Sequence, residues 1–152
     1  MNRKIDASRP YRRIEIDKIF TKVKAEMHSA ALLRGKSKGL DKALFQDIYT
    51  GKKLIGGDPY DYEHIRSSEE IHSKYKSILT DEQIALVVNC LENVSVTLRS
   101  INQSKGKQKM EDWLANPTNI TANGIDLELT FANIKKADKG ILKMVSQITK
   151  KL

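Results

Sequence analysis

The sequence predicts an α+β chain, mostly helical, in which a small core of two strands and a helix is flanked by N-terminal and C-terminal helices. Three observations carry this. Apolar residues recur at three- and four-residue steps over 13–33 and again over 128–152, the spacing of one buried helix face. Thr80, Asp81, Glu82 and Gln83 spell a capping box ahead of the apolar face Ile84, Val87, Val88 and Leu91. Residues 93–99 instead alternate, Val94, Val96 and Leu98 against Ser95, Thr97 and Arg99, as a half-buried strand does. A chain of 152 residues is read as one domain, with a basic helical arm at 1–40, a core at 41–116 and a C-terminal helical segment at 117–152.

Taken in order, residues 1–11 with Pro10 read as an irregular basic lead-in, and the first helix turns Ile16, Ile19, Phe20, Val23, Met27, Ala30 and Ala31 inward. Gly35 and Gly39 among Arg34, Lys36 and Lys38 predict a cationic loop suited to phosphate contact. Leu40, Leu44, Phe45 and Ile48 predict a second, short helix over 41–48, followed by a turn with extended flanks over 49–58. Pro59 stops any helix from entering the next segment, 60–65, which reads as extended. Ser67 caps a short helix over 68–75. Beyond the strand, a helix is expected from about Asn102, with Met110, Trp113 and Leu114 inside, and 116–124 reads as a turn-rich connection. The last helix buries Ile134, Ala137, Ile141, Met144, Val145 and Ile148, with Gly140 as a point of interruption. Lys150 and Lys151 stand at its C-terminal end, where the macrodipole favours cations.

Composition narrows the function classes. Hydrophobic content of 39% against 30% charged is that of a chain able to build a core rather than a disordered one. The net charge is +8, and residues 1–40 hold eleven Lys or Arg against four Asp or Glu. A one-sided basic segment points to an anionic partner, nucleic acid first, with a solvated lysine-rich surface as the plain alternative. Arg12 and Arg13 belong to that segment. Cys90 stands alone, which excludes an internal disulfide and a cysteine-built zinc site. No apolar run has signal-peptide or membrane-spanning character, so a cytoplasmic protein with no membrane partner is expected.

Two stretches carry chemistry, 61–65 and 93–107. Glu63 and His64 are adjacent on an extended segment and so face opposite ways. Asn102 is expected at or beside a helix start, within reach of Glu63. A carboxylate and an amide oxygen suit Mg²⁺ or Mn²⁺ with several waters retained, and a neutral imidazole at His64 suits removal of a proton from an attacking water. Lys105 and Lys107, on the first turns of the helix, add positive charge where a phosphate would lie, or are solvated helix lysines. Asn102 has two open roles, metal ligand and helix cap, which compete for one oxygen. Asn93 is equally at home as a turn residue at the strand entry. His28 and His72 read as ordinary helix residues, and Tyr60, Tyr62, Tyr75 and Trp113 as packing residues.

This pattern resembles the His-Asn-His (HNH) nucleases of the ββα-metal fold, particularly the HNH domains of RNA-guided CRISPR effector nucleases and related restriction enzymes. The matching positions are Glu63 and His64, Asn93, Asn102 nine residues later, and Lys105, Gly106 and Lys107; Tyr49, Thr50, Gly51 and Lys52 are similar to the segment that often precedes the catalytic strand. The resemblance covers roughly residues 45–115. It implies a small ββα-metal core and a metal-dependent endonuclease acting on double- or single-stranded DNA, with guide RNA a partner if the chain is part of a larger effector. It makes His64 the general base, Glu63 and Asn102 ligands of Mg²⁺ or Mn²⁺ with Asp61 a supporting acid, and Asn93 a structural amide that holds the loop between the strands. The chain departs from the family in having Glu63 where many members have Asp, Arg66 close to where a proline often follows the histidine, and a long interval from His64 to Asn93. Two rival functions remain: a nucleic-acid-binding module without the chemistry, and a helical interaction or toxin-type effector.

Overall fold

Helix α1 (Ile14–Ser37) starts where the apolar periodicity starts, and runs for 24 residues in the computed structural model, which describes residues 5–150. The first four residues of the basic lead-in, and Lys151 and Leu152 of the stretch expected to be helical, lie outside the described residues. The helix outlasts its apolar face. Arg34 and Lys36 form its last turn and Lys38 its C-cap, so the predicted cationic loop at 34–38 is helix, with cations at the negative end of the macrodipole. Gly35 lets the chain double back: a Cβ there would lie 1.8 Å from the Lys42 carbonyl oxygen.

Strands β1 (Leu44–Gln46) and β2 (Lys53–Ile55) pair antiparallel with Phe45 opposite Leu54. The helix expected over 41–48 is therefore a strand. A segment this short cannot hold a helix by itself, and its structure is decided by distant partners: Phe45 and Leu54 pack with Ala31 of α1, and Arg34 Nε donates to the Leu44 carbonyl at 3.0 Å. The turn beyond β1 is fixed by the fully buried Asp47. Its Oδ1 accepts from Tyr49 N and Thr97 Oγ1, both at 2.9 Å, and its Oδ2 accepts from Leu98 N at 3.0 Å.

Strand β3 (Tyr60–His64) pairs antiparallel with β4 (Val94–Leu98), Glu63 opposite Ser95 and His64 opposite Val94. Between them lie α2 (Ser68–Tyr75), capped by Ser67, and α3 (Asp81–Val88), opened by the Thr80 and Gln83 capping box. Helix α4 (Arg99–Lys105) follows β4 directly, which completes a strand–strand–helix unit. Rather than half-buried, β4 is covered on both faces over 94–97, because the hydroxyls of Ser95 and Thr97 bond the carboxylates of Glu63 and Asp47.

Helices α5 (Met110–Leu114), α6 (Pro117–Asn123) and α7 (Leu127–Thr149) complete the chain. The turn-rich connection expected at 116–124 is mostly α6, started by the Asn116 side chain at N-cap and Pro117 at the first position. Gly140 does not interrupt α7. It lets Glu92 close against the helix, where a Cβ would come within 2.5 Å of Glu92 Oε2. One apolar cluster joins α1, α2, α3 and α7 through Ile16, Ile71, Ile84, Val88 and Ile141. Another places Tyr49, Ile65, Ile101, Trp113 and Ile134 behind the strand–strand–helix unit, and burying a side chain such as Ile101 contributes about 1.5–3 kcal/mol. Among the described residues no helix is long and apolar enough to cross a membrane.

Candidate functional site

A cavity of about 260 Å³ opens where the end of β3 meets α4 and the start of α2. Glu63, His64, Asn102, Lys105 and Lys107 line it together with Arg13 from the start of α1. Half of the residues singled out from the sequence therefore meet, although they come from segments separated by the α2–α3 excursion.

His64 is half-buried, its ring 4.3 Å from that of Phe20, and its Nε2 lies 2.8 Å from Asn89 Oδ1. Both amide hydrogens of Asn89 are already committed, to the Ile16 and Ala85 carbonyls at 3.1 and 2.9 Å. Asn89 can thus only accept from the imidazole, so Nε2 carries the proton and Nδ1 keeps its lone pair. Burial pushes the His64 pKa below its ordinary value, against the opposing hydrogen bond to Asn89. At neutral pH the ring is a neutral base.

Glu63 is buried on the opposite face of the strand. Its Oε1 accepts from the Tyr49 hydroxyl and, at 2.9 Å, from Ser95 Oγ, while Oε2 accepts from Lys105 Nζ at 2.5 Å. Lys105 also donates to the His64 carbonyl at 3.0 Å. It is the last residue of α4 and only 4% exposed, so it neutralises Glu63 instead of standing on a first helical turn to meet a phosphate.

Asn102 is not a helix cap, because α4 begins three residues earlier at Arg99 with no side-chain cap. Its Nδ2 donates to Asp61 Oδ2 at 3.1 Å, and Arg99 Nε holds Asp61 Oδ1 at 2.9 Å. The amide is therefore oriented by Asp61, which leaves Asn102 Oδ1 available as a donor toward a cation. Asn93, fully buried, accepts from Arg66 N at 2.8 Å and donates to the Arg66 and Val88 carbonyls. It ties the chain leaving β3 to the chain entering β4 and does not touch the cavity.

Asn102 and Glu63 line the cavity and carry oxygens of the hard type that magnesium and manganese take, but both Glu63 oxygens are bonded by Tyr49, Ser95 and Lys105, so a cation would have to displace Lys105 to reach that carboxylate. Among the described residues no three His, Cys, Asp or Glu side chains form a ready-made cage. Of the predicted phosphate contacts, Arg13 lines the cavity, bonded to Tyr11 and Ser68, and Lys107 lines it with its side chain 85% exposed. Arg34, Lys36 and Lys38 are about 30 Å further along α1 by its rise per residue. Arg12 faces a different hollow that it shares with Asp6, Glu15, Asp81 and Glu82.

Asn89, Phe20 and Ser95 are site residues that sequence reasoning missed, and none carries a local signal. Tyr49 had one, in the Tyr49 to Lys52 segment of the resemblance. Comparisons with protein-family models, curated proteins and solved structures give no match to this chain.

Proposed function

We propose that the chain is a metal-dependent endonuclease of the HNH type that hydrolyses phosphodiester bonds of DNA in the cavity between β3 and α4. The observation that supports this best is the convergence of His64, Glu63 and Asn102 on one cavity bordered by Arg13 and Lys107. In this reading His64 Nδ1 takes the proton of the attacking water, a step worth typically 10²–10⁴-fold for a well-placed base. Asn102 Oδ1 and Glu63 would hold Mg²⁺ or Mn²⁺, which supplies charge stabilisation at the phosphate and the leaving oxygen. Asp61 orients Asn102, Arg13 and Lys107 hold the phosphate, and Asn93 keeps the strand ends in register. Guide RNA enters only if the chain works within a larger effector, and a cytoplasmic setting suits its lone thiol. Supercoiled plasmid incubated with Mg²⁺ or Mn²⁺ is expected to be nicked, and EDTA is expected to abolish nicking; a persistent lack of metal-dependent nicking contradicts the reading.

One observation favours a second reading. Lys105 already sits on the Glu63 oxygen that a cation would take. If that pair is permanent, the chain is a nucleic-acid-binding module on the same fold, and the plasmid experiment gives salt-sensitive binding with no cutting.

A further inference from the structure

We propose that the outer face of α7 is a second nucleic-acid contact, a line of lysines that holds the sugar-phosphate backbone at a distance from the cavity. It rests on the nucleic-acid partner of the reading above and is independent of cutting. Lys135, Lys136, Lys139 and Lys143 are all exposed and line one shallow groove of about 440 Å³. None of the four belongs to an ion pair among the described residues.

A solvated helix face normally interleaves Glu with Lys at four-residue steps, which supports the helix. Here the four-residue neighbours, Lys135 with Lys139 and Lys139 with Lys143, repel one another. The single acid of α7 beyond its first turn, Asp138, is turned away to bond Arg66 at 2.8 and 2.9 Å. Glu92 is the sole acid in the groove, at its margin against Gly140. A helix rises 1.5 Å per residue, so successive lysines of the 135, 139, 143 row are about 6 Å apart along the axis, close to the step between phosphates of a nucleic-acid strand. Apart from the lysines and Glu92, only Ala132 and Gly140 line the groove, while Phe131 and Leu142 are exposed on the same helix, which makes an anionic lipid surface the rival partner that the test separates. The opposite face of α7 is already spent on the core through Ile134, Ala137 and Ile141.

The test uses the full chain carrying Lys135→Gln, Lys139→Gln and Lys143→Gln together, with a fluorescent DNA duplex, in EDTA, by anisotropy over a salt series. Each phosphate contact contributes about −0.9 to the slope of log affinity against log salt, so a loss of three contacts makes the slope shallower by about 2–3 and lowers affinity at least tenfold at low salt. The matching Lys→Arg triple keeps slope and affinity, and both variants keep the native circular dichroism. An unchanged slope in the Gln variant overturns the proposal, as does native protein that binds anionic phospholipid vesicles but not DNA. Native protein that binds with the full slope yet never cuts plasmid removes the endonuclease reading and leaves the lysine line standing.

Discussion

At the scale of the residue, the protonation of His64 is set by its neighbours. Burial disfavours the imidazolium, and Asn89 fixes which nitrogen carries the single proton. Because the folded pKa lies below the ordinary 6.5, the unfolded chain binds a proton more readily than the folded one. The contribution of His64 to stability is therefore whole above about pH 6.5 and is lost as the pH falls from there through the lowered folded value. Urea unfolding of the native protein and of His64→Gln across this range is expected to show a steeper acid loss in the native protein. Equal pH dependence would contradict the burial argument. The same lowering moves the acid limb of any cleavage profile below the ordinary imidazole range, so the base stays usable in mildly acidic solution.

At the scale of the element, β3 and α4 are joined by Glu63 and Lys105, which are 3% and 4% exposed as side chains. Removing one partner of such a pair leaves an uncompensated buried charge, whereas replacing both with apolar or neutral groups of similar volume costs little. Lys105→Ala is expected to lower stability by about 3–5 kcal/mol, and Lys105→Met with Glu63→Gln to recover most of it, measured by urea unfolding. A Lys105→Ala protein as stable as the native one would show the pair to be superficial. How far each element was legible follows from where its determinants lie. The α3 start was readable because Thr80 and Gln83 satisfy each other within one turn. The β1 strand was misread as helix because Phe45 answers to Ala31 and Leu54 rather than to its own neighbours. Helix α6 carried a local signal, Asn116 followed by Pro117, that the turn-rich composition outweighed. Asn102 was placed at a helix start because 93–107 read as a strand, a tight junction and then a helix, yet α4 follows β4 with no junction and begins at Arg99, and what Asn102 bonds is Asp61 across to β3. The adjacency of Glu63 and His64 was plain in the sequence; that Glu63 faces Tyr49, Ser95 and Lys105 was not, because all three partners are distant along the chain.

At the scale of the molecule, Arg66 joins the end of β3 to α5 and α7. Its guanidinium bonds both oxygens of Glu111 from α5 and both of Asp138 from α7, while its backbone N–H donates to Asn93. The hydrogen bonds from Arg66 hold the Glu111 carboxyl down to about 2. Arg66 thus ties the end of β3 to two helices through its side chain and to the entry of β4 through its backbone. Most of the +8 excess lies in residues 1–40, yet of that segment's cations only Arg13 lines the cavity, and a second run of exposed lysines stands on the outer face of α7. The most direct measurement is the single-turnover rate of plasmid nicking in Mg²⁺ by the native protein and by His64→Ala, with DNA affinity and circular dichroism matched. A base at this position predicts that the rate falls by about 10²–10⁴-fold while affinity is retained; an equal rate in His64→Ala would contradict the assignment of the cavity as a catalytic centre.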